Sequence, residues 1–271
     1  MTRNVSSSDF LALPGELKNR IFEYVLTADK PLLYAGAPQG LRSIVLVEHA
    51  ARHPFNRIKQ VCQELACDTA DLELKYNEIL IVATPAIAAC QKFEEMQSRL
   101  GPSRIKWLRR VAIKPSRLDH LLPVGYSPYR NRVGRFIEGS DLDTLANVSW
   151  FCRKNPNVVL RFLAPHFEYH VNNPTLEGIL FYCFAISKLL RDLQYLAIMP
   201  QAWAPLYAAH WAEASTAAAR FPTNLIYCPF DEDFQADVAN FINKLWKTTA
   251  LRKPDAARVM RQVHDWIMNG I

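Results

Sequence analysis

Pro85-Ala-Ile87-Ala-Ala-Cys90-Gln-Lys-Phe93-Glu-Glu-Met96-Gln-Ser-Arg99-Leu100-Gly101-Pro102 leads after five residues into Leu108-Arg-Arg-Val111-Ala-Ile113, and this stretch decides the fold class. Ile87, Cys90, Phe93, Met96 and Leu100 recur at three- and four-residue steps, the spacing of one helix face. Gly101-Pro102 stops that helix, because glycine loosens the backbone and proline lacks the N–H a continuing helix needs. The apolar Val111-Ala-Ile113 run then reads as a buried strand. The same helix-then-strand unit recurs along the chain. Strands are expected at Ile79–Val82, Leu108–Ile113, Val158–Leu163, Leu193–Ile198 and Leu225–Cys228. Helices are expected at Pro85–Leu100, Leu142–Arg153, Leu176–Leu190, Ala202–Arg220, Phe234–Thr248 and Pro254–Met268, with a turn at Asn155-Pro-Asn157. Alternation of this kind predicts an α/β fold, a mostly parallel sheet with helical crossovers or an irregular leucine-rich-repeat-like array.

Composition agrees with a globular chain: 271 residues, 50% hydrophobic and 21% charged. That excludes a disordered chain, a collagen-like repeat and a coiled-coil rod. No run approaches the ~20 apolar residues of a membrane span, and residues 1–9 lack the apolar core of a secretory signal. The expectation is a soluble intracellular protein, cytoplasmic or nuclear, without a membrane partner. The six cysteines form no C-x-x-C pair and most lie in apolar runs, so they read as reduced, buried small hydrophobes.

Residues 1–9 read as a polar tail. Leu13-Pro14-Gly-Glu16-Leu17-Lys-Asn-Arg-Ile21-Phe22-Glu-Tyr24-Val25-Leu26 follows as a helix, with Pro14 at its first turn and Glu16 favouring its dipole. Leu13, Leu17, Ile21 and Val25 share a face, which either enters the protein's own core or meets a partner groove. Pro31 closes this segment, and residues 31–53 are less regular apart from a candidate strand at Leu41–Val47. From His53-Pro54 onward, Phe55, Ile58, Cys62, Leu65, Thr69 and Leu72 alternate at three and four residues. They predict one continuous helix, broken at Tyr76-Asn77.

Leu13, Pro14, Glu16, Leu17, Ile21, Tyr24 and Leu26 resemble the first helix of an F-box, which runs Leu-Pro-x-Glu-Leu, polar residues, Ile, then Tyr-Leu or a near equivalent. Val61-Cys-Gln-Glu-Leu65-Ala-Cys-Asp68-Thr69-Ala-Asp-Leu72-Glu-Leu-Lys-Tyr76-Asn77 is similar to the segment that follows such a helix in the F-box-like proteins of filamentous fungi. The resemblance covers about a third of the chain. It implies an F-box-like helical region over 10–83 and an α/β body over 84–271, which also read as one continuous domain over 10–271. It further implies a protein–protein interaction module, a substrate receptor of a cullin–RING ubiquitin ligase. Its partners would be a Skp-type adaptor, met by Leu13, Pro14, Leu17, Ile21 and Tyr24, and a substrate protein.

Charge is unevenly placed. Between Arg99 and Arg135 ten basic residues face one acid, Asp119, a local charge of +9 in a chain of net +6. Arg104, Lys106, Arg109, Arg110, Arg117, Arg130, Arg132 and Arg135 are therefore candidates for holding a nucleic acid or another polyanion, with Trp107, Tyr126, Tyr129 and Phe136 among them. The competing reading is a set of separate solvated faces.

Catalytic and cofactor signatures are missing. Gly125-Tyr-Ser127-Pro128 is no nucleophile elbow, no phosphate-cradling glycine loop occurs, and there are nine glycines in all. His166 and His170 lack a third metal ligand nearby. Asp141-Leu-Asp143 and Asp231-Glu-Asp233 read as helix starts rather than cation sites. No metal and no cofactor are expected. An enzyme would need a site assembled only in three dimensions, for example a cysteine served by His120 or His210.

Overall fold

The computed structural model describes residues 10–36, 45–47, 54–84, 87–114, 139–163, 187, 221–228 and 253–271. The fold is α/β, and among the described residues six strands form one mostly parallel sheet. They are β1 (Leu32–Tyr34), β2 (Leu46–Val47), β3 (Glu78–Val82), β4 (Arg110–Lys114), β5 (Val159–Leu163) and β6 (Leu225–Cys228), in the order β2-β1-β3-β4-β5-β6. β1 is parallel to β3, with Leu32 opposite Ile79, and antiparallel to β2, with Tyr34 opposite Leu46. β5 and β6 are parallel, in register from Leu160–Leu225 to Leu163–Cys228. Four of the five expected strands are thus present, and Leu193–Ile198 lies outside the described residues. β1 forms in the stretch 31–53 that reads as less regular, and of the strand expected at Leu41–Val47 the described part is Leu46–Val47.

The chain forms two compact units, one of Met1–Ile81 with Lys92–Val111 and the other of Val82–Gln91 with Ala112–Ile271. In the first, α1 (Gly15–Val25) starts after Pro14, whose backbone lies at φ −53°, ψ 144°. The single helix expected from His53-Pro54 to the break at Tyr76-Asn77 is not formed. In its place stand a 3-10 turn (Arg57–Gln60), α2 (Gln63–Asp68) and α3 (Leu72–Tyr76). Two residues break it: Cys62 is extended at φ −158°, ψ 166°, and Asp71 is left-handed at φ 65°. Neither conformation continues a right-handed helix. The breaks accompany a buried polar cluster. Asn56 Nδ2 donates to Thr69 O at 3.1 Å and to Glu73 Oε2 at 2.9 Å, Lys59 pairs with Glu73, and Arg104 Nε meets Asp71 Oδ1 at 2.6 Å.

Phe55, Ile58, Leu65 and Leu72 still join one apolar cluster with Phe22 and Leu26. The apolar spacing therefore marked residues that meet in the core, although the backbone joining them is not one helix. Cys62 is the exception, because it is exposed.

The helix expected at Pro85–Leu100 is α4 (Ala89–Ile105), which buries Phe93, Met96 and Leu100. Gly101 interrupts it at φ 64°, ψ 169°, as Gly101-Pro102 suggested, and one further turn follows to Ile105.

In the second unit, α5 (Gly139–Lys154) buries Val148, Phe151 and Cys152, and Phe162 of β5 stacks on Tyr227 of β6 at 5.8 Å. Asn224 Nδ2 lies 3.0 Å from Cys152 O, 3.1 Å from Asn155 O and 2.7 Å from Val158 O. One amide thereby joins the end of α5, the turn and the approach to β5. The last helix, α6 (Lys253–Asn269), buries Val263 and Trp266. Gly270 then turns at φ 72° so that Ile271 and Tyr227 exchange two backbone hydrogen bonds of 2.7 and 2.9 Å. A Cβ on Gly270 would lie 2.5 Å from Ile226 Cγ2 and 2.9 Å from Tyr227 O. The helices expected at Leu176–Leu190, Ala202–Arg220 and Phe234–Thr248 lie outside the described residues, apart from Ser187, which is helical.

Asn77 plays the corresponding part in the first unit. Its Nδ2 donates to Leu26 O at 2.6 Å and to Glu73 O at 3.0 Å, and its Oδ1 accepts the Ala28 N–H at 2.6 Å. Asn77→Ala strands buried backbone groups and is expected to cost about 2–3 kcal/mol in urea unfolding, with exposed Asn19→Ala within about 0.5 kcal/mol of wild type. Asn224→Ala is expected to cost a similar amount. Gly270→Ala is expected to cost at least about 1 kcal/mol, because it adds left-handed strain to a steric clash. Thermal unfolding unchanged in Gly270→Ala would show that the α6–β6 junction is not held as described.

Candidate functional site

α1 carries apolar side chains on two neighbouring faces. Phe22 and Leu26, four residues apart, are buried with Leu65, and Phe10, Leu11, Phe55, Ile58, Leu72 and Tyr76 pack around them. Phe10 meets Phe22 edge-on at 5.8 Å. Lys18 reaches Asp68 of α2 at 3.8 Å, and the Asn77 amide holds the helix's C-terminal end. These contacts fix the rotation of α1 about its own axis.

The other face is open. Leu17 is 46% exposed, Ile21 38%, Tyr24 86% and Val25 49%. Residues at i, i+4, i+7 and i+8 lie on one side of a helix. Of the two alternatives for the Leu13–Leu17–Ile21–Val25 stripe, entry into the core is therefore excluded for Leu17, Ile21 and Val25. Leu13 is half-buried and Pro14 exposed at the helix start. Leu17, Ile21 and Tyr24 thus stand together as the sequence resemblance groups them. Val25 belongs with them, and its place in the four-residue repeat was the signal for it. Val61, beyond the 3-10 turn, is a further exposed apolar side chain at 72%.

Among the described residues the basic candidates have different partners. Arg104 is paired with Asp71, and Arg99 with Glu95 one helical turn away at 3.2 Å. Arg109 Nη1 donates to Lys106 O at 2.9 Å, and Arg110 Nη2 to Tyr76 O at 3.1 Å. Lys106 Nζ stands 5.6 Å from the Trp107 ring centroid. Lys114 ends β4, half-buried. Arg117, Arg130, Arg132 and Arg135 lie outside the described residues, as do Tyr126, Tyr129 and Phe136.

Among the described residues no three His, Cys, Asp or Glu side chains converge as metal ligands. His120, His166, His170, His210, Asp231 and Asp233 lie outside those residues, as do the side chains of Asp141 and Asp143. Also among the described residues, no helix is long and apolar enough to cross a membrane. The cysteine expectation needs correction: Cys62 and Cys67 are exposed and Cys90 half-buried, while Cys152 and Cys228 are buried. Cys62 and Cys67 flank Leu65, the one buried residue of α2. Cys183 lies outside the described side chains.

Two buried groups hold their protons unusually tightly. Burial raises the Cys152 thiol from 9.0 to about 12. Tyr34 is raised from 10.0 to about 12, first by burial and then by the negative charge of Glu95. The Tyr34 hydroxyl is buried without a well-formed hydrogen bond, and Glu95 lies close enough to act on it by its charge and by a weak hydrogen-bonding approach.

Compared with known proteins, the chain matches no family model, no curated protein and no solved structure.

The raised values set an alkaline limit on stability. Above pH 9 the unfolded chain loses its thiol proton and above pH 10 its phenol proton, while the folded groups keep theirs to about 12. The unfolded state then binds fewer protons, so stability falls as pH rises from about 9 to about 12. Tyr34→Phe is expected to flatten the upper part of that fall. At pH 7 it should leave stability unchanged or slightly raised, because it removes a buried hydroxyl that lacks a well-formed hydrogen bond. Urea unfolding at neutral and alkaline pH measures both, and a Tyr34→Phe loss above about 1 kcal/mol at pH 7 would mean that the hydroxyl has a partner.

Proposed function

We propose that the chain is a protein–protein interaction module, an F-box-type substrate receptor of a cullin–RING ubiquitin ligase that docks its adaptor through α1. The observation that carries this reading is the open apolar face of α1: Leu17, Ile21, Tyr24 and Val25 remain exposed while Phe22 and Leu26 anchor the same helix. An exposed apolar helix face at this spacing suits a partner's groove, with the i, i+4 and i+7 side chains as anchors. The Leu13–Leu26 and Val61–Asn77 resemblance supports a Skp-type adaptor as that partner.

In this reading Pro14 and Leu13 set the start of the docking helix, and the α/β body receives the substrate protein. The sequential neighbours β3-β4-β5-β6 are compatible with an open, leucine-rich-repeat-like array in that body. A ligase receptor of this kind would work in the cytoplasm or nucleus.

Leu17→Asp/Ile21→Asp tests the reading. Both side chains are exposed, so the variant is expected to keep wild-type circular dichroism and a stability within about 1 kcal/mol. A pull-down of tagged protein from a fungal extract should recover an adaptor and a cullin with wild type and lose them with the variant. Wild type that recovers neither, or a folded variant that keeps both, would overturn the proposal.

A further inference from the structure

We propose that the end of the first unit at which β4 begins is a binding surface for single-stranded nucleic acid, gripped through its phosphates by Lys75, Lys106, Arg109 and Arg110. This goes beyond the docking reading of α1 and does not depend on it.

Ion pairing decides which cations are available. Arg99 and Arg104, the first two of the basic stretch, are taken by Glu95 and Asp71. Arg110 instead ties itself to a backbone carbonyl, Tyr76 O, at the end of α3. That bond brings in Lys75, which the charge window in the sequence leaves out, with its Nζ 5.0 Å from the Tyr76 ring centroid. Arg109, next along the chain, bonds Lys106 O, and Lys106 stands beside Trp107. Lys75, Lys106 and Arg110 are exposed and Arg109 is half-buried. Asp71 and Glu73 on α3 and its approach are engaged by Arg104 and Lys59. Against those two engaged carboxylates stand four cations, none of them ion-paired with an acid among the described residues, so the surface keeps a positive excess.

The chemistry selects phosphate. Each of the two guanidinium groups has an N–H fixed on a backbone carbonyl and keeps other donors free for an anion. Part of the ordering entropy of an arginine clamp is therefore already met in the fold. Tyr76 and Trp107 are half-buried beside Lys75 and Lys106. A single strand held without sequence preference is followed along its phosphates by a positive surface with aromatic side chains nearby. Reading a duplex would need a helix or ribbon laid into a groove, whereas α3 has five residues and contributes only its end.

The test is fluorescence anisotropy of the full chain with labelled oligo-dT and oligo-U of about 15 nucleotides, over about 50–300 mM salt. Wild type is expected to bind both, with log affinity falling on log salt at a slope of about −3 for four phosphate contacts. Lys75→Glu/Arg110→Glu is expected to weaken binding at least tenfold. Lys75→Glu/Lys106→Glu, which leaves the Arg110–Tyr76 bond intact, should do the same if folding is not the cause. Arg20→Glu/Lys30→Glu changes net charge equally at exposed cations on and after α1, and should stay within about twofold. No wild-type binding at the lowest salt, or an equal loss in the Arg20→Glu/Lys30→Glu control, would overturn the proposal. So would displacement by polyglutamate as efficient as by unlabelled oligonucleotide, which would make an acidic protein segment the occupant.

Discussion

Buried backbone groups where helices give way to strands must find partners, and in this chain two asparagines supply them. Asn77 and Asn224 each stand one residue before a strand, and each reaches back to carbonyls at the end of a helix far away in sequence. An unpaired carbonyl in such a place costs free energy comparable to a lost hydrogen bond, so the amide and the helix end are bound to each other. Asparagine suits the task because one short side chain both donates and accepts. Asn77 uses both functions, accepting from Ala28 N–H while donating to Leu26 O. What α1 exposes follows from this. With its C-terminal end held and Phe22 and Leu26 fixed against Leu65, its remaining apolar side chains face outward.

The regular elements were legible wherever local pattern and burial agree. Phe93, Met96 and Leu100 recur at helical steps and are buried on one face. Val111, Ala112 and Ile113 form an apolar run and are buried together in β4. The Gly101-Pro102 break needs only local chemistry, since a left-handed glycine ahead of a proline interrupts the hydrogen-bond ladder. Short strands are harder to see. β1 has three residues and β2 two, and such pieces owe their conformation to neighbours across the sheet rather than to their own sequence.

The segment around Cys62 to Tyr76 shows where periodicity misleads. Its apolar positions fit one helix, and most of them do enter one cluster. Periodicity reports which side chains are inward and not whether the backbone between them is continuous. The interruption at Asp71 comes with partners distant in sequence: Arg104 on its carboxylate, and Asn56 and Lys59 on Glu73 two residues later. No window of the sequence contains those partners together. The same reason explains the basic stretch. Counting charges between Arg99 and Arg135 included Arg104, which is neutralised by an acid 33 residues earlier, and omitted Lys75, the neighbour of the Tyr76 whose carbonyl Arg110 bonds.

α3 links the two surfaces of the first unit. Tyr76 packs its ring against the cluster that holds α1 and offers its carbonyl to Arg110, while Lys75 covers that ring with its ammonium group. A change at Tyr76 would therefore disturb the apolar anchor and the cationic edge together and could not tell them apart. The separable positions lie one step outward. Leu17 and Ile21 contribute exposed apolar area without belonging to the cluster, and Lys75 and Lys106 contribute charge without holding a backbone carbonyl. Exposed side chains of this kind can change their chemistry with little effect on the fold, so a loss of binding at either pair reports on its own surface.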